Sequence, residues 1–261
     1  FIAQVSYERK SQIVGQVRES VTNDLSLENY VWILADGNNY PLQRGNQFTA
    51  GLTFKNKSFL VDADVYYKTI DGVTSMAFGS LHEFDSQVHH GKGFTKGFDL
   101  LLQKSAPSWR AWLTYTFQDS QNKYDGLNQS GYFPVSSDIK HMLTLSFHKK
   151  WNRFSVSAGW FWHTGKPYSE LNPDNEITSF NNKRLPVYHR MDISAGYAFR
   201  PEKNWSGKFG VPILNLSGRN SIISREYERQ FVPGDLFGSN YAVRDYQSLG
   251  FTPNVFVRIS F

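Results

Sequence analysis

Thr252-Pro253-Asn254-Val255-Phe256-Val257-Arg258-Ile259-Ser260-Phe261 ends the chain, and its reading decides the fold. Val255, Val257, Ile259 and Phe261 alternate with Asn254, Phe256, Arg258 and Ser260. Successive side chains of a strand point to opposite faces, so this alternation predicts a strand with one apolar face. Either a second sheet or lipid could cover that face. The remaining sequence chooses between them.

The same period recurs upstream. Phe1, Ala3, Val5 and Tyr7 oppose Gln4, Ser6 and Glu8, and a short segment follows through Ile13, Gly15 and Val17. Phe48, Ala50, Leu52 and Phe54 then oppose Gln47, Thr49 and Thr53. Further apolar series run Phe59 to Tyr67, Phe98 to Leu102, Trp109 to Phe117, Leu143 to Phe147, Phe154 to Trp162 and Met191 to Phe199. A less regular strand from Phe209 through Pro212 precedes the terminal one. The count is about eleven strands, near the roughly ten-residue template of membrane-barrel strands. No comparable stretch has the period of an amphipathic helix.

The connections carry a second regularity. Short turns at Glu8–Ser11, Lys55–Ser58, Lys104–Ser108, Lys149–Arg153 and Pro201–Gly207 alternate with long polar segments at about 18–46, 70–92, 118–138, 166–186 and 218–251. Brief periplasmic turns and extended outer loops are the pattern of a transmembrane barrel. If the terminal strand runs toward the periplasm, segment 218–251 is extracellular, and an odd count makes the first strand run the same way. An odd antiparallel count cannot close and leaves edges unsatisfied in lipid. The fold expected is therefore an all-β, antiparallel transmembrane β-barrel of which this chain is a part, with its other strands upstream.

Composition agrees. The chain has 261 residues, mean hydropathy −0.47 and 40% hydrophobic residues. No apolar run approaches the roughly 18 residues of a membrane helix, while a barrel strand needs only every second residue apolar. Aromatics reach 16%, a surplus that girdles at two lipid–water interfaces would use. The absence of cysteine excludes disulfides and thiolate zinc sites. Net charge is +5, spread through turns and loops rather than along a stripe, so nucleic acid is not an expected partner. The chain starts at Phe1 without an initiator Met, which fits a removed leader or a start inside a longer precursor.

Several segments, in order, carry a family likeness. They are Trp32–Asp36 with Pro41–Gln47, Val65–Gly72, Gly93–Lys104 with Asp99 where Glu is commoner, and Trp112–Phe117. Phe133-Pro134 with Asp138 and His141, Trp162–Tyr168, Arg184–Asp192 and Asn215–Asn220 follow. Arg184–Asp192 is the most specific of these, and Asn215–Asn220 is a degraded form of a separate signature, Asn-Leu-Phe-Asn-Arg-x-Asn. Their order and spacing resemble the C-terminal half of the β-barrel of TonB-dependent outer-membrane receptors of the Bacteroidetes type.

The resemblance implies the second half of a barrel of about 22 strands around a plug. On that reading residues 1–261 are the C-terminal part of the barrel domain, and the plug domain and first strands are absent from this chain. It implies an importer in a Gram-negative outer membrane. Such a receptor binds a scarce nutrient (siderophore, cobalamin, glycan or peptide) at its extracellular face and passes it inward under TonB control. Implied partners are the plug domain and N-terminal barrel half, the TonB–ExbB–ExbD complex, outer-membrane lipids and the barrel-assembly machinery. An accessory surface lipoprotein is left open. Val257, Ile259 and Phe261 would form the assembly signal. No catalytic residue and no cofactor are implied.

Candidate ligand-binding residues lie in the long segments and at strand ends. Arg225, Tyr227, Arg229, Arg244 and Tyr246 suit an anionic or sugar-like ligand through bidentate hydrogen bonds and ring stacking. Packing against neighbouring loop is the plainer role for each of them. His89 and His90 share a segment with His82, Glu83 and Asp85, where imidazole and carboxylate could hold a transition metal, although a solvated loop is the preferred reading. His163 closes a strand. Asp174, Asn175 and Glu176 lack the ligand spacing of a calcium loop. Asp99 and Asp192 are expected to face the lumen or the plug, and Trp109, Trp160 and Trp162 the lipid. Gly159–Lys166 fails as a phosphate loop, because Pro167 stands where Ser or Thr is required. Ser137-x-x-Lys140 has no supporting motif.

Three other functions compete. A passive pore of ten or twelve strands would close on itself. A barrel protease or lipase would need a Ser–His or Asp–His constellation at the outer rim. A soluble binding module would need its apolar faces buried by another sheet.

Overall fold

The computed structural model describes residues 1–18, 30–37, 40–78, 86–173, 177–202, 205–230 and 240–260. Strands come in chain order as β1 (Ile2–Gln12), β2 (Val14–Arg18), β3 (Tyr30–Leu34), β4 (Gln43–Lys55), β5 (Phe59–Phe78) and β6 (Ser86–Ala106). Then follow β7 (Trp109–Tyr124), β8 (Phe133–Pro134), β9 (His141–Trp151), β10 (Phe154–His163), β11 (Pro167–Tyr168) and β12 (Lys183–Arg184). The last are β13 (Tyr188–Glu202), β14 (Trp205–Leu214), β15 (Ile222–Gln230), β16 (Asn240–Gln247), β17 (Thr252–Pro253) and β18 (Phe256–Ser260). One 3-10 turn, Asn128–Ser130, is the only helical element among the described residues.

Twelve of these strands make one antiparallel sheet. Its path runs β1-β4-β5-β6-β7-β9-β10-β13-β14-β17, with β18 also paired to β14 and β8 to β7. Three small hairpins stand apart from it: β2–β3, β11–β12 and β15–β16. An all-β antiparallel sheet is what the alternation predicts.

The register joins the apolar series into continuous rows. Val5 lies opposite Ala50, Ala50 opposite Val65, Val65 opposite Phe98 and Phe98 opposite Phe117. A second row runs Val61, Leu102, Leu113, Leu145, Trp160 and Met191. Cross-strand partners share a face, so every such series lies on the same side of the sheet. Among the described residues no second layer covers that side. Val5 is 84% exposed and Leu52 63%, and among the described residues Leu185 is the one large hydrophobic side chain that is buried. A soluble domain hides such surface, and this sheet hides polar groups instead.

Short turns join β4 to β5, β6 to β7 and β9 to β10 at one end, and longer connections leave the other. Two expectations are corrected here. Glu8–Ser11 is not a turn, because β1 continues unbroken from Ile2 to Gln12 and pairs residue for residue with Thr53 to Gln43 of β4. The Ile13–Val17 segment then leaves the main sheet as the outer hairpin β2–β3. With this segment removed, the path holds ten strands and β1 runs opposite to the terminal strand, so the parity argument for missing strands no longer applies. The polar segment 70–92 is also largely strand. β5 and β6 are 20 and 21 residues long, because backbone pairing continues whether or not the strand keeps an apolar face.

The terminal stretch is split. Thr252 pairs with Leu214 and Pro253 with Ile213, after which pairing resumes at Phe256 with Gly210. The interruption lies opposite Pro212, which has no N–H to offer the ladder. Its carbonyl accepts a 2.8 Å hydrogen bond from the Asn254 N–H. Val257 lies opposite Phe209 and Ile259 opposite Gly207, on the apolar side, while Phe261 lies outside the described residues.

Candidate functional site

The face opposite the apolar rows is polar. One row crosses it from Gln4 through Gly51, Asp64, Asp99, Thr116 and Met142 to His163. Asp99 accepts a 2.6 Å hydrogen bond from the Thr116 hydroxyl. His163 stacks on Tyr188 at 4.8 Å with its Nδ1 2.7 Å from the Thr164 carbonyl. One row nearer the loops, Tyr66 lies across Gly97, and its hydroxyl donates to Gln118 Oε1 at 3.4 Å. A Cβ at position 97 would collide with the Tyr66 ring and stand 2.7 Å from the Phe117 carbonyl oxygen, so only glycine admits this arrangement.

Over the loop end, buried polar groups fasten the connections. The Asp138 carboxylate is completely buried. It accepts a 2.9 Å hydrogen bond from the Ser120 N–H and an ion pair from the Arg184 guanidinium. Arg184 Nη1 also donates to the carbonyls of Asp138 and Gly165, both at 3.1 Å. Asn181 donates to the Pro134 carbonyl at 2.7 Å, and Asn128 holds both the N–H and the carbonyl of Phe180. These bonds pin the β11–β12 hairpin to the β7–β9 connection.

A second anchor is Asn215, 2% exposed, whose φ of 50° suits asparagine. Its side chain donates to the carbonyls of Arg219 and Leu249, and its N–H donates to Asp192 Oδ1 at 2.8 Å. Asp192 is also ion-paired with Arg190 at 2.9 Å. Asp192 therefore lies on the polar face but serves the turn after β14.

The candidate ligand residues do not form one cluster. In β15–β16, Arg225 lies opposite Asp245 and Tyr227 opposite Val243, whereas Arg244 lies opposite Glu226. Alternation thus sends Arg225 and Tyr227 to one face of the hairpin and Arg244 and Tyr246 to the other. Arg225 binds Asp245 through two hydrogen bonds of 2.6 and 2.8 Å and lies 5.0 Å from the Tyr168 ring centre. These hydrogen bonds raise the Arg225 pKa and hold the Asp245 carboxyl below the usual range. Tyr227 accepts from the Leu171 N–H at 3.4 Å, and burial pushes its phenol up. Arg244 is paired with Glu228 and stacks 5.2 Å from Tyr246. Both guanidinium groups are thus committed to carboxylates within the hairpin. The Arg229 side chain lies outside the described residues.

His89 and His90 are consecutive in β6 and so point to opposite faces. His89 Nδ1 is 2.7 Å from the Asp125 carbonyl. His82, Glu83 and Asp85 lie outside the described residues, as do Asp174, Asn175 and Glu176. Among the described residues no group of three His, Cys, Asp or Glu side chains could hold a metal ion.

Sequence reasoning quoted Asp138 and Arg184 as separate motifs and missed that they form one pair. Two motif segments each holding one member of a complementary charge pair could have suggested it.

The family model for the TonB-dependent receptor-like β-barrel matches residues 25–220. Among curated proteins no sequence matches. The ferric-catecholate import receptor Fiu from K12 E. coli, in its closed form, is similar in structure with a TM-score of 0.55 at 16% identity. The copper transporter OprC is similar with a TM-score of 0.55 at 12% identity. The alignments cover 98% and 85% of this chain but 32% and 31% of those proteins, so the chain spans about a third of their length.

Proposed function

Because the chain belongs to the TonB-dependent receptor-like β-barrel family, we propose that it forms part of an active importer in the outer membrane of a Gram-negative bacterium. The observation that carries this reading is the uncovered apolar face, aligned row by row across the sheet path. Lipid is the cover such a face requires. β1 and the terminal strands each have only one sheet neighbour among the described residues. An unpaired edge is costly in lipid, which favours completion of the barrel by further strands over a self-contained pore.

The polar face then lines the lumen. Asp99, Asp192 and His163 lie on it, where a plug domain would contact them. A nutrient binds beyond the loop-bearing end, where Tyr168, Tyr227 and the His163–Tyr188 stack present rings and Arg225, committed to Asp245, holds the Tyr168 ring in place. Siderophore, cobalamin, glycan and peptide all suit such a surface, and structural relatives named for ferric catecholates and copper make metal chelates the first class to screen. Transfer inward draws energy from TonB–ExbB–ExbD, and nothing covalent happens to the cargo. Assignment to the Bacteroidetes type rests on the order and spacing of the matched segments, of which Arg184–Asp192 is the most specific.

Uptake tests this directly. Cells carrying the intact protein should accumulate labelled chelate, and a protonophore should stop accumulation without preventing surface binding. Accumulation that persists without the proton gradient would make the protein a passive pore.

A further inference from the structure

The apolar side of the sheet carries a charged patch that import does not use. Beyond the row of Tyr7, Phe48 and Tyr67 toward the loop end, the next positions on that side are Arg9, Asn46, Thr69 and Phe94. One row further stand Arg44, Asp71, Lys92 and Lys123, each opposite the next across four strands. The register between β1 and β7 is continuous up to this row, so these side chains share a face with Val5, Val65 and Phe98. They point away from the polar face and cannot meet a cargo in the lumen.

Lys92 lies between Asp71 and Lys123, so one carboxylate faces three cations along this row and an excess of two positive charges remains. No ion pair engages Arg9, Arg44, Lys92 or Lys123 among the described residues. Arg9, Arg44 and Lys92 are exposed and border a hollow of about 490 Å³ whose floor includes Tyr67, Phe94 and Tyr132. Asp71 is the one acidic residue lining it. Phe94 and Tyr132 meet edge to face at 5.3 Å, and Tyr7 donates to Asn46 at 2.9 Å, which holds the aromatic border in place. The hollow therefore has an apolar side, an aromatic border and unpaired cations in that order along the strands. In a membrane barrel that order runs from acyl chain to headgroup.

We propose that this hollow is a lipid site: Arg9, Arg44 and Lys92, with Lys123 beside them, bind the phosphate groups of anionic outer-leaflet lipid whose acyl chains lie on the apolar rows. Guanidinium groups engage phosphate oxygens in bidentate fashion and lysine adds point charge. The site rests on the outer-membrane reading but is independent of cargo and of TonB.

The intact protein, purified in uncharged detergent, would be exchanged into phosphatidylcholine vesicles carrying either a diphosphorylated disaccharide lipid or the same lipid without phosphates. Retained lipid is then measured after gel filtration. The phosphorylated form should be retained and the other not. Retention should fall about fivefold per charge removed, or roughly a hundredfold in R9Q/R44Q/K92Q. K57Q, in the turn at the far end, should retain it fully. Excess inorganic phosphate should not displace the lipid, and displacement by it would make this a free-phosphate site and overturn the lipid assignment. Equal retention by the triple variant, in protein that still shows the heat-dependent gel shift of a folded barrel, would also overturn it. Failure of the wild type to enter the outer membrane would be read separately by cell fractionation and would sink the importer reading as well.

Discussion

Asp138 and Arg184 show what a single pair can settle. A fully buried carboxylate costs several kcal/mol of desolvation unless donors compensate it, and here a backbone N–H and a guanidinium do so. Arg184→Met should leave that charge uncompensated and destabilise the loop end by roughly 3–5 kcal/mol, whereas the double change with Asp138→Asn should recover most of the loss. Thermal unfolding followed by gel shift checks this, and a single variant as stable as wild type would refute the pairing. Asp245 makes a pH prediction. Hydrogen bonds from Arg225 hold its carboxyl below the usual range, so the proton binds more weakly in the folded hairpin than in the open one. The stabilisation is complete above the ordinary aspartate value, about 4, and fades as pH falls through the folded value. Amide protection in β15–β16, taken relative to intrinsic exchange at each pH, should therefore be constant from neutrality to about pH 5 and fall in stronger acid, and Asp245→Asn should remove that acid limb.

At the scale of the strand, two neighbouring residues should respond in opposite ways. Leu113 belongs to the apolar rows and Thr114 to the polar face. Leu113→Arg should cost about 2–4 kcal/mol of folding into vesicles, and Thr114→Arg less than about 1. Similar costs at both positions would mean that lipid does not contact the face assigned to it. The sequence makes these faces legible because period two is independent of what covers a strand. It conceals where strands end, since β5 and β6 continue to Phe78 and from Ser86 through a register shift between Asp71 and Val73, beyond which Val73, Met76 and Phe78 no longer keep the period of the apolar rows. The turn expected at Glu8–Ser11 failed because four polar residues fit an exposed edge strand as well as a turn. The site was less legible still. Arg225 and Arg244 lie close in sequence terms within one segment, yet hairpin alternation separates them, and their carboxylate partners are fixed by register rather than by local sequence.

The whole molecule turns on its two edges. β1 is exposed along its entire length and, among the described residues, pairs only with β4, while β17 and β18 pair only with β14. Each edge presents a row of backbone groups which, inside hydrocarbon, would cost several kcal/mol apiece if left unsatisfied. Ten strands are an even number and could close, so parity does not choose between a small pore and a larger barrel. The importer proposed above requires the larger one, and the solved structures that this chain resembles are about three times its length. The two architectures differ in what β1 touches. In the larger barrel its free edge pairs with a strand preceding this segment, and in the small pore with β18. In the intact protein, amides on the outer edge of β1 between Ile2 and Tyr7 should exchange as slowly as those of β5. Protection of roughly a thousandfold, equivalent to about 4 kcal/mol of opening, is expected. If the proposed larger barrel holds, cysteines placed at Val5 and at Val257 should not cross-link within one chain, since further strands would separate them. An efficient intramolecular cross-link between those positions, with β1 protected, would show that this sheet closes on itself. Fast exchange at the β1 edge would show that it lies in water, and neither barrel would then describe the protein.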